Sequence, residues 1–128
     1  VVTTNGVLGV PENPATVGWW TGSRLAGSVT GSVVIDGHVD SAAAGRGALF
    51  RLGDLSVGDE VRIITERGNR IDYRVYGRRV YIKHQGLPAD IFATTGMPRL
   101  VLITCGGPFD RAAGNYEDNI VVFAYPSA

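Results

Sequence analysis

The chain has 128 residues and a mass of 13.6 kDa, the size of one domain. Its 12 Lys+Arg balance 12 Asp+Glu, so the net charge is zero, which argues against a general nucleic-acid or anionic-membrane binder. A 45% hydrophobic and 19% charged composition excludes a disordered chain, and one cysteine excludes an internal disulfide or a zinc site built on paired cysteines.

Gly accounts for 18 residues, about twice the usual share, and predicts many tight turns. Residues 1–28 carry Gly, Pro and Asn at short intervals and predict short strands and loops, with Trp19 and Trp20 as buried anchors. Residues 32–38 read as a buried strand entering a tight turn at Gly37-His38. The small, Gly/Ala-rich stretch 39–47 predicts a loop, and 48–52 one helical turn. Residues 60–66 and 70–76 predict a hairpin around Gly68-Asn69, and 78–83 a further strand. Residues 84–97 read as an irregular connection with a turn of helix near 90–94. Residues 99–105 form a strongly β run ending at Cys105, residues 106–118 a loop, and 119–125 the closing strand. Seven or eight short strands, few helices and no internal repeat predict an all-β domain spanning 1–128, closed as a barrel or sandwich-like. The longest strongly apolar run, 120–125, is far short of the ~20 residues that span a bilayer. A start without Met or a signal peptide reads as a trimmed soluble domain.

Cys105 ends an apolar strand and precedes Gly106-Gly107-Pro108, where glycine lets a substrate backbone come close. The bland alternative is a small buried hydrophobe. His38, in Asp36-Gly37-His38-Val39-Asp40-Ser41, also ends a strand, and imidazole is the usual partner of a reactive thiol. The alternative is a turn histidine bonded to Asp36 or Asp40. Arg111, six positions after Cys105, is a candidate donor to a developing oxyanion, against a surface arginine paired with Asp110 or Glu117. Arg46, Arg51 and His84 read as solvated. Thr104 is a candidate for positioning substrate, and Trp19, Trp20 and Tyr116 for lining a groove; a strand threonine and core aromatics are the alternatives.

The segments Gly37-His38-Val39-Asp40-Ser41, Gly45-Arg46-Gly47-Ala48-Leu49-Phe50-Arg51-Leu52 and Leu55-Ser56-Val57-Gly58-Asp59 resemble a sortase. So do Leu102-Ile103-Thr104-Cys105-Gly106-Gly107-Pro108-Phe109-Asp110 and Tyr116-Glu117-Asp118-Asn119. The similarity runs from Leu8 onward and is strongest to the actinobacterial class F or E branch. It implies an eight-stranded β-barrel with short helical turns and a Cys–His–Arg site. Cys105 then matches the nucleophile and His38 the proton donor and acceptor. Asp118 and Asn119 occupy the region where many sortases carry the arginine, so Arg111 is the nearest replacement. Asp40, Thr104, Gly106 and Tyr116 are expected beside substrate.

The resemblance further implies transpeptidation with no cofactor or metal. An L-P-x-T-G-like sorting peptide would be cut between Thr and Gly, and its acyl group passed to an amine of a cell-wall precursor or protein. The expected place is the extracellular face of the cell membrane, through an anchor outside this chain, with a monomeric soluble domain. Two rival readings are a Cys–His peptidase or L,D-transpeptidase, and a non-enzymatic β-barrel binding module with an inert Cys105.

Overall fold

The computed structural model describes residues 3–4, 7–9, 11–41 and 45–127. In chain order the strands are β1 (Thr3–Thr4), β2 (Val7–Leu8), β3 (Val17–Trp19), β4 (Ser32–Gly37), β5 (Asp40–Ser41), β6 (Gly45–Arg46), β7 (Glu60–Ile64), β8 (Arg70–Ile82), β9 (Arg99–Asp110) and β10 (Asn115–Pro126). Three short 3₁₀ turns cover Leu52–Asp54, Lys83–Gln85 and Ala89–Phe92. The expected mainly β class holds. Its hydrogen bonds gather six strands into one sheet, in the order β3-β4-β9-β10-β8-β7, and the other four into the ribbons β1-β2 and β5-β6.

Within the large sheet β4 and β9 run parallel, and every other pairing is antiparallel. A parallel pair in mid-sheet is covered on both faces, which explains why Val33-Val34-Ile35 and Leu100-Val101-Leu102-Ile103 are unbroken apolar runs. Alternation along each strand sends successive residues to opposite faces. Val33, Leu100, Leu102 and Val122 pack with Tyr73, Val75 and Leu52 on one side. Val34, Val101, Ile103, Val121 and Phe123 pack with Ile91 on the other.

Two expected breaks are absorbed into strands. The segments read as 70–76 and 78–83 belong to the single strand β8, because the register passes from Phe123↔Gly77 to Ala124↔Val75 and leaves Tyr76 as a bulge. Most of the expected 106–118 loop is also strand: β9 continues five residues past Cys105 and meets β10 across a turn at 111–114. A second bulge, between Tyr116 and Asp118, takes up the register there, and Phe109 stacks edge-on against Tyr116 at 5.1 Å across the hairpin. The 39–47 loop carries the ribbon β5-β6, with 42–44 outside the described residues. Of the two tryptophans, Trp20 packs edge-on against Phe92 at 5.1 Å, whereas Trp19 is 36% exposed and donates its ring N–H to the Arg24 carbonyl.

Candidate active site

The C-terminal ends of β4 and β8 lie beside the middle of β9. β4 runs parallel to β9 and their last pair is Asp36↔Ile103; His38 follows two residues after Asp36, and Cys105 two residues after Ile103. Both residues therefore leave the paired region at the same end of the β4–β9 pair. The buried Thr104 hydroxyl locks this register by donating to the Gly37 carbonyl at 2.8 Å. That bond uses the hydroxyl proton, so Thr104 ties the two strand ends together rather than facing a substrate. β8 runs in the same direction as β9, with β10 between them: Asn119 pairs with both Tyr81 and Cys105, and Asp118 with both Ile82 and Gly106.

Cys105 is half-buried and free. Val101, Ile103 and Cys105 share a face by alternation, so the thiol sits at the rim of the core that holds Val34 and Val121. Its glycine neighbours serve the hairpin. A Cβ at Gly106 would overlap the Ile120 side chain, and one at Gly107 the Asp118 carboxylate; Gly107 also has φ +72°, the left-handed region that favours glycine. The side of Gly106 where a Cβ would stand is thus taken by Ile120.

His38 is held from its backbone and its ring. The His38 carbonyl accepts from the Leu49 N–H at 3.1 Å, and Gly47 packs so closely that a Cβ there would overlap that carbonyl. The ring Nε2 lies 2.6 Å from the Pro11 carbonyl. A carbonyl only accepts, so Nε2 carries the hydrogen in this pairing and Nδ1 is left for proton traffic. The carboxylates expected to engage His38 have other surroundings. Asp40 accepts from the Tyr116 hydroxyl at 2.7 Å. This hydrogen bond, with burial and the charges of Asp40 and Cys105, raises the Tyr116 pKa above the ordinary phenol value. Asp40, Tyr116 and Cys105 thus form one electrostatic group beside the β9–β10 hairpin.

Asp36 is only 4% exposed, and its Oδ1 has no hydrogen-bond partner among the described residues. Burial raises its pKa from 3.8 to about 6, opposed in part by the nearby His38. The fold therefore favours the neutral carboxyl. Stability from this group is fully present below the unfolded value of 3.8 and is lost as pH rises through about 6. The whole effect is about 3 kcal/mol. Asp36→Asn is expected to gain on the wild type by about 2 kcal/mol between pH 4.5 and 7.5, read by urea denaturation at both values. An unchanged difference between the two proteins across that range would refute this assignment.

Arg111 is not among the residues that converge. It occupies the exposed 111–114 turn, beyond the end of β9 at Asp110. The five residues of strand from Cys105 to Asp110 span ~16 Å. Among the described residues it makes no hydrogen bond or ion pair, with Asp110 and Glu117 included. Asp110 instead accepts from the Ala112 and Ala113 N–H groups to shape the turn. Arg46 lies over the Phe50 ring at 4.5 Å, Arg51 pairs with Asp54 at the surface, and His84 is exposed.

A residue the sequence reading passed over sits against the thiol. Lys83 follows β8, and its Nζ donates to Cys105 Sγ at 3.1 Å. The available signal was compositional, since Lys83 is the only lysine beside eleven arginines.

The family profile described as Sortase domain matches residues 1–127. Among solved structures, sortase C1 from Streptococcus agalactiae superposes with a TM-score of 0.72 at 18% identity, over 94% of this chain and 58% of that one. Sortase A from Corynebacterium diphtheriae gives 0.67 at 23% identity, over 88% of this chain and 48% of that one. The Clostridium perfringens sortase D5 transpeptidase gives 0.64 at 19% identity, over 88% and 62%. This chain spans about half to three fifths of the length of these structures, and no curated protein matches it. With the profile covering nearly every residue and the same fold in these solved structures, the chain belongs to the sortase family.

Proposed function

We propose that residues 1–128 form the catalytic domain of a cysteine transpeptidase acting on an L-P-x-T-G-like sorting peptide. The observation that supports this most is the parallel pairing of β4 and β9, whose last pair, Asp36↔Ile103, lies two residues before both His38 and Cys105, in a chain matched over residues 1–127 by the sortase profile. The Cys105 thiolate attacks the carbonyl of the motif threonine and forms a C–S bond. The C–N bond to glycine breaks, and the leaving amine takes a proton from the His38 imidazolium through Nδ1. An incoming amine then attacks the thioacyl carbon, gives its proton to Nδ1 and releases Cys105 as thiolate. The Asp40–Tyr116 hydrogen bond, near the turn of the β9–β10 hairpin, is proposed to contact the bound peptide. The acceptor is an amine of a cell-wall precursor or a protein, and the place of action is the outer face of the cell membrane. Among the described residues no helix is long and apolar enough to cross a membrane.

The test is turnover of an L-P-E-T-G peptide with hydroxylamine as the amine. The expected product is the threonine hydroxamate of the cleaved peptide. Release of free acid alone, with hydroxylamine in excess, would make the protein a hydrolase and contradict the proposal.

A further inference from the structure

Lys83 lies in the 3₁₀ turn that closes β8, half-buried, and forms no ion pair among the described residues. Asp40 accepts from Tyr116, and the Asp118 carboxylate lies over Gly107; neither is paired with Lys83 among the described residues. What the ammonium meets is the Cys105 sulfur, at 3.1 Å. An ammonium half-removed from water with no carboxylate is costly unless negative charge develops beside it. The chain uses arginine at its other eleven basic positions, so a lone lysine on a lone cysteine stands apart from its composition.

Resting on the transpeptidase reading above, we propose that Lys83 is a catalytic residue whose ammonium holds Cys105 as thiolate and then stabilises the oxyanion. This is the role the sequence assigned to Arg111. When Sγ bonds to the carbonyl carbon, the π electron pair moves to an oxygen two bonds from the sulfur. Lysine carries three N–H groups on a flexible four-carbon stem, so one donor stays on sulfur while another turns to that oxygen. When the C–N bond breaks, the electron pair returns to the carbonyl and the leaving nitrogen takes its proton from His38. Lys83 keeps its own protons throughout and acts as fixed charge.

The experiment compares wild type with Lys83→Met, Lys83→Arg and Arg111→Ala, each checked for native circular dichroism. Two quantities are read: the rate of Cys105 alkylation by iodoacetamide at pH 7, and kcat and KM for an L-P-E-T-G peptide with hydroxylamine. Alkylation reports thiolate without any substrate. Loss of a charge-assisted hydrogen bond predicts that Lys83→Met slows alkylation and kcat by about 10- to 100-fold, with KM nearly unchanged. Lys83→Arg restores most of both, and the loss in Lys83→Met exceeds that in Arg111→Ala by about 10-fold or more. Wild-type alkylation and kcat in Lys83→Met would overturn the inference while leaving the transpeptidase reading in place. A hydroxylamine-resistant acyl group on Lys83 would also overturn it, since only the neutral amine is a nucleophile. Lys83-dependent alkylation in a protein that never turns over peptide would support the Lys83–Cys105 pairing and defeat the transpeptidase reading instead.

Discussion

Cys105→Ala is expected to lower kcat for sorting-peptide cleavage by about 10⁴-fold or more while the protein stays folded. The nucleophile is the one group in the reaction that nothing else replaces. The side chain lies outside both apolar clusters, at the rim of the sheet, half-buried and bonded through sulfur to Lys83. Truncation to alanine keeps the β9 backbone, the Asn119↔Cys105 pairing and the Thr104–Gly37 lock, so the neighbouring strands have no reason to move. The reading of Cys105 as an inert core residue predicts the reverse: a loss of stability with activity retained. Measuring kcat and the urea midpoint on the same preparation separates the two.

His38→Gln is expected to reduce kcat by about 10²- to 10⁴-fold with KM changed little. Glutamine is the informative substitution because its amide N–H can take over the donation to the Pro11 carbonyl that Nε2 makes at 2.6 Å. The anchor stays, and the proton relay at Nδ1 goes. Nitrogen-15 spectra of the neutral wild-type ring should show the hydrogen on Nε2, since a carbonyl acceptor fixes that tautomer. Activity of the glutamine variant within about tenfold of wild type would remove His38 from the proton-transfer role.

The sequence made the nucleophile and its base visible for a local reason. Cys105 and His38 each lie two or three residues past an apolar run that is buried on both faces, Leu100–Ile103 and Val33–Ile35, so the end of each run pointed to them. Thr104 was visible as a residue but not in its role, because its partner Gly37 is set by a parallel pairing 67 positions away. The reading of Gly106-Gly107-Pro108 as the start of a loop drew Arg111 towards the thiol. The bulge at Tyr116–Asp118 and the Phe109–Tyr116 pair keep the strands together instead, and carry Arg111 to the far turn. Lys83 stayed hidden because it reaches Cys105 across β10, and only the shared pairings of Asn119 and Asp118 bring the end of β8 level with β9. Asp36 is conspicuous as a charge closing Val33-Val34-Ile35, but that its Oδ1 meets no partner among the described residues depends on side chains brought together by the tertiary fold.

The most direct test of a catalytic Cys105 is the intact mass of the folded wild-type protein after brief incubation with an L-P-E-T-G peptide and no added amine. The account predicts an added acyl mass, confined to the peptide that carries Cys105, absent from Cys105→Ala and removed by hydroxylamine. An acyl group found on any other residue, or no adduct and no cleavage across a panel of sorting peptides, would contradict it.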